Sequence, residues 1–375
     1  MNSQSRPPVK VRFRDLSVAD GPFRTKLVGT FERVLSHGQL IMGKEVEEFE
    51  RVVAQYCGTK HSIGVASGTS AIYLALKALG VGPGDEVITT PMSWIATLNS
   101  ICATGATPVF ADVCQNLNID PEAIRGVITP KTRAIVPVHY TGRLCDMDAI
   151  LAIAREHNLL VMEDAAQALG ATLPDGRRAG GFGHAGAFSL NPMKVLYGFG
   201  DAGAITTNDA EAIEKIEAYR YLGTVNRETC IDRELNHKID SLQAALLLDS
   251  FSVLDETLDK RRQVAAKYST ALKDVVDCPE IPAEGDRRAI FFDYTLAADN
   301  RDQLLAHMES EGIECKIRHP ILMPDQPAYA DLPRPHVPVA RNLVGRILTL
   351  PCHEKLSADQ VDLVIDKVRS FYRSH

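Results

Sequence analysis

The chain carries eight cysteines, Cys57, Cys102, Cys114, Cys145, Cys230, Cys278, Cys315 and Cys352, and no CxxC pair. That scatter argues against a disulfide framework or a zinc site and fits reduced thiols in a cytoplasmic enzyme. Basic charge is also in deficit. Lys and Arg total 41 against 48 Asp and Glu, a formal net charge of −7 that leaves no basic footprint for nucleic acid. No apolar run is long enough to cross a bilayer. The opening residues, Met1-Asn-Ser-Gln-Ser-Arg-Pro-Pro8, lack an apolar core, so no secretory signal is expected. Internal repeats, low-complexity tracts and a Walker A lysine are missing. His319, Cys352 and His353 have no metal-ligand spacing, and no metal is expected.

What remains is an ordinary globular composition, 45% hydrophobic, in a chain of 375 residues, long enough for two domains. From about residue 60, strand and helix signals alternate. Helices are predicted over 70–79, 95–104, 121–128 and 146–157, and strands over 86–90, 107–111, 133–139, 159–164, 185–190 and 203–207. Such alternation implies an α/β fold with a mostly parallel sheet covered on both faces. Ligands of such sheets sit beyond the carboxyl ends of the strands. A single long helix is predicted over about 240–271, and a final amphipathic helix over 357–372. A large α/β domain is expected over residues 1–250 and a smaller α+β domain over 251–375.

The candidate chemistry centres on Lys194. It sits in Ser189-Leu-Asn-Pro-Met-Lys194, beside the glycine-rich turn Gly198-Phe-Gly-Asp-Ala-Gly203. Upstream, the apolar run Leu159-Leu-Val-Met162 ends in Glu163-Asp164-Ala-Ala-Gln167. An acid closing a strand, followed by a lysine in a small-residue loop, suits pyridoxal phosphate. The lysine forms a Schiff base with the cofactor aldehyde, and the carboxylate keeps the pyridine nitrogen protonated. Most lysines lie on the surface, but between two buried strands an idle charge would be costly. Taken alone, Asp164 could equally pair with a base or cap a helix; Gln167 one turn on and Lys194 downstream favour the cofactor. Ser67-Gly68-Thr69-Ser70 opens a helix whose free N–H groups suit a phosphate, although Thr69 or Ser70 could serve only as a cap. Ser189 could donate to the same phosphate. Trp94, the only tryptophan, stands at a strand-to-helix junction, where it could pack in the core or stack on a flat ring.

One motif misleads. Gly181-Phe-Gly183-His-Ala-Gly186 matches the dinucleotide pattern G-x-G-x-x-G, yet it follows a polar loop and runs into a strand instead of opening a helix.

Taken together, the segments resemble the DegT/DnrJ/EryC1/StrS family of sugar aminotransferases, within the fold-type I, aspartate aminotransferase-like enzymes. The likeness rests on Gly43-Lys-Glu-Val-Glu-Glu-Phe-Glu50, Ser67-Gly-Thr-Ser-Ala71, Glu163-Asp-Ala-Ala-Gln167, Ser189 to Lys194, Gly200-Asp-Ala-Gly203, Leu235 to Ala245 and Ile347 to His353. It implies a mostly parallel seven-stranded sheet, pyridoxal 5'-phosphate on Lys194 and a pyridoxamine phosphate intermediate form. Asp164 would pair with the pyridinium, Gln167 would face the ring oxygen and Trp94 would stack. Gly68, Thr69, Ser70 and Ser189 would hold the phosphate, with Asn236 reaching it from the other subunit of a homodimer. The implied reaction takes an amino group from L-glutamate, giving 2-oxoglutarate, to C3 or C4 of a nucleotide-linked keto-sugar. Alternatives are a keto-cyclitol acceptor, a sugar dehydration or a non-catalytic regulatory protein. Lys238, Arg318-His319-Pro320 and Tyr140-Thr141-Gly142-Arg143 depart from the family pattern and leave the substrate open.

Overall fold

A computed structural model describes residues 8–374. The expectation of no secretory signal concerns a segment that, apart from Pro8, lies outside them.

Seven short strands build the central sheet: β1 (His61–Val65), β2 (Glu86–Thr89), β3 (Thr107–Phe110), β4 (Thr132–Val136), β5 (Leu160–Asp164), β6 (Ala185–Ser189) and β7 (Gly203–Thr207). Their order is β1-β7-β6-β5-β4-β2-β3, and only β7 runs against its neighbours. Side chains alternate between the two faces, as the pleat requires. Ala185 and Ala187 point to one core cluster, Phe188 to another on the opposite side. The first face is covered by α3 (Gly68–Ala78), through Ile72, Ala75 and Leu76, and by Ile216 from a helix that follows β7. The opposite face receives Phe49 and Val53 of α2 (Lys44–Cys57), which follows α1 (Pro22–His37). Helices on both sides bury the sheet, which is why consecutive residues of its inner strands are buried rather than alternating between buried and exposed.

Between the strands lie α4 (Ala96–Ala103), the single-turn α5 (Pro121–Arg125) and α6 (Met147–Glu156). Helix α7 (Ala210–Arg220) leads to a two-residue hairpin of β8 (Thr224–Val225) and β9 (Thr229–Cys230). Strand β1 and helices α1 and α2 were not anticipated from the sequence. The long helix expected over 240–271 is two helices, α8 (Ser241–Phe251) and α9 (Leu254–Leu272). Ser252 donates its hydroxyl to the Asp249 carbonyl at 2.7 Å, and Val253 adopts φ −116° and ψ 7°, outside the helical basin. The helix expected to reach residue 128 stops at Arg125, because Gly126 and the following turn take over.

The C-terminal part pairs β10 (Tyr294–Ala297) with β11 (Ile347–Leu350), antiparallel. This ribbon packs with α9, α10 (Arg301–Ser310) and α12 (Ala358–Ser374) into a separate cluster that also takes Val11 from the other end of the chain. The segment from Leu322 through α11 (Pro338–Arg346) packs instead on Met92 and Leu98 beside the main sheet. Phe292, Arg318 and His319 of this C-terminal part reach the sheet's carboxyl edge, where they line one cavity with the strand ends. Asp164 pairs in register with Ala187, and Ser189 with Gly203, so the ends of β5 and β6 stand side by side there.

Candidate active site

A cavity of about 460 Å³ opens at that edge. Its floor is set by strand ends, its walls by loops that leave them. Strand β1 ends at Val65, and after Ala66 the chain turns at Ser67 into α3. The Ser67 side chain caps the helix, accepting from Ser70 N–H at 3.1 Å. The first N–H groups of α3 have no partner within the helix and carry its positive dipole end. Gly68 is required here for approach, not for φ. An added Cβ would stand 2.5 Å from Ser189 Cβ and 2.9 Å from Ser189 Cα. The helix end and the end of β6 are therefore in van der Waals contact, and Ser67, Gly68, Thr69 and Ser189 face one space.

Lys194 follows β6 by five residues. Asn191 organises its loop: the side chain donates to Asp201 at 2.7 Å and accepts from Met193 N–H at 3.1 Å, and the Asn191 carbonyl accepts from Lys194 N–H at 2.8 Å. Gln243 of α8 pins the glycine-rich turn by accepting from Phe199 N–H at 2.8 Å. The Lys194 ammonium lies 4.8 Å from the centre of the Phe292 ring and forms no ion pair among the described residues. Burial strips water from it and pulls its pKa down to about 8, with Asp164 opposing and Arg318 adding to the fall.

Asp164 is buried at the end of β5. Thr97 of α4 donates its hydroxyl to Oδ2 at 2.7 Å and Ala166 N–H donates to Oδ1 at 3.2 Å. Burial raises the pKa, while Thr97, Ala166 and Lys194 pull against that rise. Its neighbour Glu163 points to the other face of the strand. It is fully buried and accepts from the N–H groups of Gly180, Phe182 and Gly183 at 2.7–2.8 Å and from His139 at 3.0 Å. The misleading glycine run is thus a tight loop folded over Glu163 on its way into β6, as its context in the sequence implies.

Gln167 Oε1 accepts from Thr141 N–H at 2.8 Å, which leaves its amide nitrogen free to donate into the cavity. Trp94 forms the outer wall and is 61% exposed. The structure therefore gathers Gly68, Thr69, Trp94, Asp164, Gln167, Ser189 and Lys194 around one space. Two expected residues lie elsewhere. The Ser70 hydroxyl turns away to His237 Nδ1 at 3.0 Å and to Ser67 at 3.1 Å, and Ser67 lines the cavity instead. Asn236 is exposed, accepts from Lys238 N–H at 3.2 Å and does not line this chain's own cavity.

Sequence reading missed Thr97, Phe292 and a buried charge cluster beside Lys194. Asp293 pairs with Arg14 at 2.8 Å and with Arg318 at 2.9 Å. Burial alone would raise the Asp293 pKa, but the two guanidiniums hold it below the usual carboxylate range. Arg14 and Asp293 are 279 residues apart, so no local pattern could have joined them. Among the described residues there is no cluster of His, Cys, Asp and Glu able to hold a metal ion, and no helix long and apolar enough to cross a membrane.

The sequence profile of the DegT/DnrJ/EryC1/StrS aminotransferase family matches residues 24–369. A Pseudomonas aeruginosa protein named UDP-2-acetamido-2-deoxy-3-oxo-D-glucuronate aminotransferase is 36% identical, over 94% of this chain and 98% of its own. A Geobacillus stearothermophilus protein named pleiotropic regulatory protein is 38% identical, over 97% and 99%. The crystal structure of S. venezuelae DesV with a ketimine intermediate superposes with a TM-score of 0.93 at 36% identity, over 98% of this chain and 99% of that one. The chain belongs to the DegT/DnrJ/EryC1/StrS aminotransferase family and is a pyridoxal phosphate-dependent aminotransferase.

Proposed function

We propose that this enzyme transfers an amino group from L-glutamate to C3 or C4 of a keto-sugar carried on a nucleoside diphosphate. The observation that carries the reading is one amine and one carboxylate, Lys194 and Asp164, facing the same cavity beneath the open amino end of α3. The donor set fits the cofactor. Asp164 is a buried carboxylate with hydrogen bonds but no ion pair among the described residues, which a protonated pyridine nitrogen would complete. The close approach of Gly68 to Ser189 brings hydroxyls and free N–H groups together where a phosphate would sit.

Bound pyridoxal phosphate supplies an electron sink for the carbanion formed at the amino-acid Cα and carries the amino group between the two half-reactions. The side chains do the rest. Lys194 would hold the cofactor covalently, and its amine would serve as the base and acid that moves a proton between the substrate Cα and the cofactor C4′. A lysine pKa near 8 leaves part of the population unprotonated at neutral pH, as a general base requires. Asp164 keeps the ring nitrogen protonated, with Thr97 fixing the carboxylate. Gln167 would donate from its amide to the ring oxygen, and Trp94 would cover the ring. Thr69 and Ser189 hold the phosphate with the N–H groups of Gly68 and its neighbours, and Ser70 braces the turn through Ser67.

Asn236 is exposed and does not line its own cavity, which supports its reaching the phosphate of the partner subunit in a homodimer. A cytoplasmic enzyme with a large domain over residues 1–250 and a small one over 251–375 completes the reading. The separate apolar cluster around β10 and β11 supports a second domain, although it also takes Val11 and the segment from Leu322 to Arg346 packs beside the main sheet. Retention of Lys194 and Asp164 together favours turnover over a purely regulatory role.

The test has two stages. L-Glutamate added to the yellow holoenzyme should bleach its absorbance band, and mass spectrometry should find an amine product from one member of a panel of nucleotide-linked 3-keto- and 4-keto-sugars. A band unchanged by glutamate and other amino acids, with no aminated sugar, would overturn the reading.

A further inference from the structure

Three aromatic rings meet at the outer wall of the cavity. His319 lies between Trp94 and Tyr140, with ring centres 5.7 Å and 5.5 Å away. Tyr140 is fully buried and its hydroxyl is 2.8 Å from His319 Nδ1. That hydroxyl has no second partner among the described residues, so its proton is satisfied only by donation to Nδ1. The imidazole then carries its own hydrogen on Nε2. Nε2 has no partner among the described residues, and the side chain lines both the main cavity and an adjoining space of about 390 Å³.

The backbone supports a fixed ring. His319 has φ 48°, a left-handed conformation uncommon for a residue with a side chain and one that tends to persist at functional positions. It stands immediately before Pro320, which further limits its freedom. Burial, with Arg318 adding to the effect, pulls the imidazole pKa down to about 4, so the ring stays neutral at physiological pH. A neutral N–H suits an uncharged oxygen acceptor better than a second cation would.

We propose that His319 is a specificity-determining residue whose Nε2–H, set by the Tyr140 hydroxyl, donates a hydrogen bond to one hydroxyl or carbonyl oxygen of the acceptor sugar. The inference rests on the nucleotide keto-sugar reading of this cavity and names a residue that selects within it. Tyr140 is a positioning residue acting through His319.

The test pairs variants with substrate analogues on the holoenzyme. His319→Phe keeps an aromatic ring and deletes the donor. His319→Gln keeps a donor without the ring. The active keto-sugar is assayed beside analogues deoxygenated at each remaining position in turn. His319→Phe should raise KM for the keto-sugar about tenfold, the effect of one hydrogen bond, and leave the rate of bleaching by L-glutamate unchanged. His319→Gln should recover part of that loss. One deoxy analogue should lose affinity with the wild type yet be bound equally well by His319→Phe, identifying the oxygen. The proposal is overturned if no analogue shows this coupling, or if the glutamate half-reaction falls as far as the sugar half-reaction. Normal bleaching without coupling would refute the role of His319 alone. Absent bleaching by every amino donor would instead refute the aminotransferase reading on which it rests.

Discussion

Gly68→Ala is the sharpest structural perturbation available. The new methyl carbon would stand 2.5 Å from Ser189 Cβ and 2.9 Å from Ser189 Cα, where ordinary contact begins at 3.4 Å. Something must move by about 0.9 Å, the difference between 3.4 and 2.5. Ser189 cannot retreat easily, because β6 is held on one side by β5 and on the other by β7, with Ser189 itself paired to Gly203. The amino end of α3 must therefore lift away from the strand end, taking the phosphate donors with it. Overpacking of this size costs about 1–3 kcal/mol of stability. Misaligning one charge-assisted hydrogen bond costs a similar amount, which corresponds to a rise of about tenfold or more in the pyridoxal phosphate Kd. The assay is titration of apoenzyme with the cofactor, followed by absorbance, with thermal unfolding run alongside. Gly82→Ala is the control: its added carbon meets nothing nearer than the Thr104 carbonyl at 3.9 Å, and both affinity and Tm should be unchanged. A Gly68→Ala enzyme with native affinity and native Tm would refute the packing argument.

Thr97→Val should remove the 2.7 Å hydroxyl bond to Asp164 Oδ2 while preserving shape. That bond favours the carboxylate form, so its loss raises the Asp164 pKa further. The acidic limb of the kcat profile should move up by about one pH unit and kcat should fall about tenfold; an unshifted limb contradicts the role. Asp293→Asn should leave Arg14 and Arg318 without their shared buried carboxylate. A loss of about 3–5 kcal/mol is expected from urea unfolding, as for breaking other buried ion pairs. A loss below about 1 kcal/mol, typical of an exposed pair, would show that solvent reaches the cluster.

The parts of this fold that were legible in the sequence are those governed by local pattern. Short apolar runs followed by amphipathic stretches located six of the seven strands of the sheet to within a few residues, and the same pattern implied a mostly parallel sheet. Lys194 stood out because a charge between two buried strands demands a reason. The break between α8 and α9 was invisible because Ser252 and Val253 do not forbid a helix; the structure ends α8 there with one side-chain bond to a carbonyl. Pairings across the chain were beyond reach for a different reason. Arg14 with Asp293 and Tyr140 with His319 are joined by folding alone, across separations of 279 and 179 residues. The Ser70 hydroxyl illustrates the remaining gap: the sequence places the residue at the phosphate turn, but only the packing of His237 decides which way its hydroxyl faces.

The central claim is a covalent one, and borohydride reduction of the holoenzyme followed by peptide mapping addresses it directly. The account predicts a single pyridoxyl-modified peptide carrying the label on Lys194. A label on another lysine, or a protein that retains no label, would contradict it.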